Sequence, residues 1–193
     1  DPKVFTRANR AFDAAAVRLA ALLQTGLADG PQELTLARDA KRERRFRTAL
    51  ARYRAILAWT AGAHPNDLRN PDESARWRME LLGEAASAAT RVDGALARTY
   101  FARHFLLRGL MGLREDDAVR AIADLQRALE HAADDAAVHF ALARAHTRQG
   151  DFGLGAKALL RAIDLDARFA QSAQVEPDVA PLLSRDDVRD ALR

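Results

Sequence analysis

Two histidines seven residues apart, His139 and His146, are the residues of this chain whose type and spacing come nearest to a reactive pair. On a helix that separation returns to the same face two turns on, with His104 and His131 on neighbouring helical segments. Metal ligation from one helix wants a spacing of three or four, so packing is the major reading and a metal or acid/base role the minor one. Carboxylates occur in pairs at Asp116-Asp117, Asp134-Asp135 and Asp186-Asp187. Each pair immediately precedes a predicted helix, where aspartate caps free backbone N–H groups and complements the helix dipole without any acid/base chemistry. The sequence has no glycine-rich phosphate loop, no nucleophile elbow, no HExxH and no cysteine. The expectation is therefore no catalytic residue, no cofactor and no metal.

The densest charge lies in RDAKRERRFRTALARYR, residues 38–54, where eight cations stand against Asp39 and Glu43. Phe46, Ala49, Leu50, Tyr53 and Leu57 share one helix face, while Arg44, Arg45, Arg47, Arg52 and Arg54 fall on the others, the pattern of an amphipathic helix with a solvated side. The sharper alternative is an anionic partner, since arginine pairs bidentately with carboxylate or phosphate and a basic helix can track a nucleic-acid backbone. Aromatic platforms for unpaired bases are few, with Phe46, Tyr53 and Trp59 nearby. Across the chain 30 Lys and Arg face 27 Asp and Glu, an excess of +3 that is small for a nucleic-acid binder of this size. A nucleic-acid-binding accessory role for residues 38–54 is thus the second reading.

These side chains must be positioned by helices. At 193 residues the chain fits one domain or a short repeat array, and 49% hydrophobic with 30% charged residues is globular composition. Six prolines and ten glycines argue against an all-β chain, and alanine, leucine and arginine are good helix formers. Apolar periodicity predicts helices near 4–25, 32–42, 45–62, 73–90, 93–112, 116–131, 135–149, 152–165 and 185–192. Gly26, Asp29-Gly30-Pro31, His64-Pro65-Asn66 and Gly150-Asp151 punctuate them as stops, turns and caps. The stretch from Gly62 to Pro71 is the expected break in the array, a hinge or an insertion. No apolar run reaches the roughly 20 residues of a membrane span, because Arg18 and Arg108 interrupt the candidates. A start at Asp1-Pro2 without methionine reads as a processed product or an excised fragment, which leaves the compartment open.

Ala136 to Phe169 is a unit of 34 residues, AAVHFALARAHTRQGDFGLGAKALLRAIDLDARF, and it resembles a tetratricopeptide repeat. Leu142 and Ala143 stand at the family's Leu-Gly pair, Gly150 at the turn, and Phe152, Leu159, Ala162 and Leu165 at packing positions of the second helix. His139 and His146 replace its tryptophan and tyrosine, Gly155 its small alanine and Ala167 its closing proline. Ala102 to Asp135 looks like a second copy through Gly109, Ala118, Ala121, Leu125 and Ala128. A weaker one runs from Gly30 to Ala63 through Leu36, Ala37, Ala40, Phe46, Ala49, Tyr53 and Ile56. The expected organisation is an N-terminal helix over 1–29, a weak repeat over 30–63, a loop and a degenerate or inserted hairpin over 64–101, two repeats over 102–169 and a cap over 170–193. In the cap, Pro177 and Pro181 end the regular pattern, and Leu182, Leu183, Val188 and Leu192 cover the last repeat.

The resemblance implies an all-α fold of antiparallel helix hairpins, a right-handed α-solenoid closed by a short capping helix. It also implies that the first helix of each repeat lines a concave groove for a peptide or partner helix. That pattern turns Arg103, Leu106, Leu110 and Arg114 from one repeat, and Phe140, Arg144, Thr147 and Arg148 from the next, toward the groove, with Arg38, Lys41 and Arg42 as counterparts in the weak repeat. Such a groove is basic with an apolar floor, suited to an acidic, partly apolar protein ligand. The family's carboxylate clamp is missing, since Ala141 and Arg144 occupy two of its positions. The competing expectation is a groove filled by helix 4–25 or 73–90 of the chain itself.

Overall fold

A computed structural model describes the backbone of residues 2–26, 28–62 and 71–192, and the side chains of those residues except 2–12, 61–62 and 71–74. The expected break between Gly62 and Pro71 lies almost wholly outside the described residues. Among them the secondary structure is entirely helical: α1 Pro2–Gln24, α2 Gly30–Arg42, α3 Phe46–Gly62, α4 Pro71–Ala89, α5 Gly94–Arg114, α6 Ala118–His131, α7 Ala136–Gln149, α8 Phe152–Leu165, α9 Arg168–Val175 and α10 Asp186–Ala191, with a 3-10 segment at Pro177–Leu182. The all-α expectation holds. The helix α9 and the 3-10 segment are additions to it, lying where prolines and mixed polarity give no clean period. The chain divides into two compact units, 1–101 and 102–193, so that α5 contributes to both.

In the first unit α3 is the central helix, packing on α1, α2 and α4. It can serve three neighbours because Ala49, Leu50, Tyr53, Ala55, Ile56 and Leu57 are all buried, a wider apolar face than one stripe. Against it α1 sets Ala16, Ala20 and Leu23, spaced four and three apart, and α2 sets Leu34, Ala37 and Ala40. Leu36, expected among the packing residues of the weak repeat, is instead 39% exposed, and Leu34 takes the inward place. On α4 the buried set is Leu81, Leu82, Ala85, Ala86, Ala88 and Ala89, where alanine permits close approach.

In the second unit the hairpins repeat at 34 residues. Asp117 caps α6 by accepting the Arg120 N–H at 2.9 Å, and Asp151, one period on, caps α8 through Leu154 N–H at 3.0 Å. The preceding turns close alike. Asp117 N–H donates to Gly112 O at 2.8 Å and Asp151 N–H to His146 O at 2.9 Å, each leaving a residue with positive φ, Asp116 at 59° and Gly150 at 87°. These are Schellman closures, which satisfy helix-end carbonyls through one left-handed residue. The hairpin of the weak repeat ends its first helix in the same way, with Arg45 N–H on Ala40 O at 2.8 Å and Arg44 at φ 60°.

Close crossing within each hairpin rests on glycine, Gly109 and Gly112 on the first helix of one copy and Gly155 on the second helix of the other. A Cβ on Gly109 of α5 would lie 2.5 Å from Leu125 Cγ and 3.2 Å from Ala121 O, while one on Gly155 of α8 would lie 2.8 Å from Thr147 Oγ1 and 3.4 Å from Ala143 O. Gly109 faces Ala121 where, 34 residues later, Ala143 faces Gly155. The unit's buried residues form two clusters, each built on one of these crossings. Leu113, Ala121, Leu125, Val138 and Leu142 form one buried cluster, and Ala143, Ala156, Leu159, Val179, Leu182 and Val188 form the next.

Candidate partner-binding face

The face of α7 expected to receive a partner already holds another part of the chain. Arg144 donates from Nε to Asp178 Oδ2 at 3.0 Å and reaches Glu176 Oε2 at 3.4 Å, and Arg148 donates from Nε to Asp178 Oδ1 at 2.8 Å. Both carboxylates belong to the stretch entering and forming the 3-10 segment, which packs on α7. Beside them the Phe140 ring meets that of Phe169, centroids 4.9 Å apart. Arg144, Arg148 and Phe140 thus meet Glu176, Asp178 and Phe169 of the segment after the last repeat. Within the second unit, the segment after the last repeat covers this face of α7.

Electrostatically this contact is strong for a partly open site. Burial acts to raise the Asp178 pKa, but the bonds from Arg148 and Arg144 outweigh it and hold the carboxyl below its usual range. Arg148 also donates from its guanidinium to Leu113 O in the last turn of α5, which accepts the Asp116 N–H as well, so a single side chain ties α5, α7 and the 3-10 segment together.

Other expected contact residues are placed differently. Thr147 does not face outward: it is 7% exposed and its hydroxyl donates to Ala143 O at 2.7 Å, under Gly155 of α8. The repeat pattern misplaces it because the glycine lets α8 approach closely enough to cover it. Leu106 and Leu110 are partly buried and pack on the core shared by α5, α6 and α7. Arg103 and Arg114 remain exposed on α5.

In the first unit Arg38 is bound to Glu84 of α4, Nε lying 3.1 Å from each carboxylate oxygen, and the buried Tyr53 donates its hydroxyl to Glu84 Oε2 at 2.8 Å. Burial acts to raise the Glu84 pKa, yet the bonds from Arg38 and Tyr53 leave it lowered; burial and Glu84 together push the Tyr53 phenol well above its ordinary value. Arg42 pairs with Asp39 at 3.1 Å, and Lys41 lies half-buried near Glu84. In the basic stretch, Arg45 pairs with Glu43, Arg52 with Glu33 and Arg54 with Asp13.

Four of the histidines lie among the described residues. His139 Nε2 is bonded to Ala133 O at 2.9 Å, His131 stacks over Phe105 at 5.9 Å and His104 meets its edge at 5.0 Å. His146 is partly buried with Nδ1 unpaired, and burial lowers its pKa against the opposing charge of Asp151. Among the described residues no group of three or more His, Cys, Asp or Glu could hold a metal ion, and no helix is long and apolar enough to cross a membrane. Of the paired aspartates, Asp117 and Asp135 cap helices, whereas Asp186 and Asp187 lie inside the first turn of α10, where Asp187 pairs with Arg185 at 3.0 Å.

Residues Glu176, Asp178 and Phe169 are absent from the sequence-based set. Their signal was present: EPDVAPLL carries the acidic and aliphatic character that a basic face with an apolar floor requires.

No protein-family model matches the chain, and no curated protein matches it. Among solved structures it is similar to the crystal structure of MamA protein, at 14% identity and a TM-score of 0.43, over 84% of this chain and 85% of that one. Likeness at that level carries no inference about function.

Proposed function

We propose that the chain is a non-enzymatic protein-interaction scaffold that receives an acidic, partly apolar segment of another protein on the α5–α7 side of its second unit. The observation that carries this is the convergence of Arg144 and Arg148 on one carboxylate beside the Phe140 ring. A face that binds an acidic and aliphatic stretch in this way has the complementarity that selects such ligands. Arg103, Leu106, Leu110 and Arg114 on α5 extend the basic and apolar character, with Arg103 and Arg114 exposed. In the other unit, Lys41 and Arg42 of α2 make a second basic surface, on which Arg38 is already committed to Glu84.

A nucleic-acid partner for residues 38–54 is the weaker reading. Arg38, Arg42, Arg45, Arg52 and Arg54 are each paired with a carboxylate, and a phosphate backbone would have to displace those anions before counterion release could favour binding.

A nuclease-treated pull-down comparing the wild type with Arg103→Glu/Arg114→Glu tests the proposal, because neither side chain belongs to the Asp178 contact. Loss of a captured protein with the variant, at unchanged far-UV CD, supports an interaction through α5. Identical capture by both baits removes that face from the function.

A further inference from the structure

The stretch from Glu176 to Leu183 is a short 3-10 helix, Pro177–Leu182, with its flanking residues. Pro177 and Pro181 have no amide donor, and the contacts at the two ends of the 3-10 helix are long: Val179 N–H to Glu176 O at 3.2 Å, Leu183 N–H to Ala180 O at 3.2 Å, and Asp178 N–H to the Glu176 carboxylate at 3.4 Å. Its fixed points are side chains. Asp178 is held by two arginines of α7, while Val179 and Leu182 are fully buried against Ala143, Ala156 and Leu159. An acidic anchor with aliphatic anchors one and four residues further on, in a backbone stiffened by two prolines, is the anatomy of a docked peptide. The residue before it, Val175, is 82% exposed.

We infer that residues 176–183 are a tethered ligand, and that the α7 face is a binding site for proline-flanked acidic and aliphatic segments that is filled here in cis. A protein partner presenting an acidic residue with aliphatic residues at +1 and +4 exchanges with the tethered copy. The inference rests on the scaffold reading and names its ligand chemistry. A short tether holds the cis ligand at an effective concentration on the order of millimolar, which suppresses binding in trans until the cis contact is weakened.

The probe is a fluorescein-labelled synthetic peptide of residues 175–185, VEPDVAPLLSR, titrated onto the full chain and followed by anisotropy. Asp178→Ala weakens the tethered copy and leaves α7 intact, so the variant is expected to bind the peptide about tenfold or more tighter than the wild type. Arg144→Glu/Arg148→Glu added to Asp178→Ala is expected to abolish that binding. Equal affinity for wild type and folded Asp178→Ala, or no binding to either, overturns the inference. Hydrogen exchange of the unaltered chain decides the matter independently of the variant's folding. Exchange of the amides of 178–183 by local opening, well ahead of α7 and α8, supports a releasable ligand; exchange only with global unfolding makes the segment a fixed cap and ends the proposal. Because the scaffold reading is tested through α5, a partner lost with Arg103→Glu/Arg114→Glu together with no peptide exchange would leave the scaffold standing and remove only the tethered ligand.

Discussion

Arg148 donates from Nε to Asp178 at 2.8 Å, joining residues thirty positions apart, while the same guanidinium bonds Leu113 O at the end of α5. The Asp178 carboxylate is 13% exposed and Arg148 is 31% exposed, so the pair is partly shielded from screening. Removing the carboxylate leaves Arg144 only its longer contact with Glu176, and Arg148 only Leu113 O and the exposed Asp116.

We therefore expect Asp178→Ala to destabilise the second unit by about 1–3 kcal/mol, less than a fully buried pair would lose. A double-mutant cycle with Arg148→Ala in urea unfolding should show coupling of about 1 kcal/mol. Strict additivity of the two substitutions would mean that the contact has no energetic weight.

Acid should act on the same contact. A carboxyl whose folded pKa is lowered contributes stability that is fully present above its unfolded value, about 3.9, and is lost as pH falls through the lower folded value. The wild-type unfolding free energy should thus decline more steeply below about pH 4 than that of Asp178→Asn. Parallel curves would show that Asp178 is not preferentially ionised in the fold.

His146 acts in the same direction at higher pH. Burial lowers its folded pKa, so its neutral form contributes stability above the unfolded value near 6.5 that is lost as pH falls through the lower folded value. Replacing it with Phe, which keeps a planar ring and removes the unpaired Nδ1, should flatten the stability profile between about pH 7 and 5. An unchanged slope would assign that pH dependence elsewhere.

The turn residues one period apart should respond with opposite signs. Gly150 has φ 87° with open space around its Cβ position, so Gly150→Ala costs only left-handed backbone strain, about 1 kcal/mol. Asp116 carries that strain already, and Asp116→Gly should stabilise by roughly 0.5–1 kcal/mol, since its contact with Arg148 is long, at 3.7 Å, and highly exposed. Thermal melts of both variants decide it, and two shifts of the same sign would contradict the common closure.

Gly155→Ala tests the crossing of α7 and α8. Its Cβ would meet Thr147 Oγ1 at 2.8 Å, and that hydroxyl is held by Ala143 O, so the substitution should cost about 1–3 kcal/mol. In a Thr147→Ala background the nearest obstacle is gone and the cost should fall by at least half. Equal costs in both backgrounds would locate the strain at Ala143 O or Leu182.

Most of the helical architecture is written locally. Apolar spacing such as Ala49, Leu50, Tyr53 and Leu57, the caps Asp117, Asp135 and Asp151, and Gly150 are short-range preferences of backbone and side chain, legible wherever a period persists over several turns. A 34-residue period also specifies roughly which side of a helix a residue occupies, though it placed Thr147 outward where α8 covers it. What local preference does not encode is who meets whom. The pairing of Arg38 with Glu84, the covering of Thr147 by α8, and the seating of Asp178 between Arg144 and Arg148 join residues 30 or more positions apart in all but the second case. Proline removes backbone donors from residues 176–183 and with them any period, so that segment takes its conformation from the face it covers. Its composition was complementary to α7 from the start, but only tertiary packing decided that the complement lies within this chain.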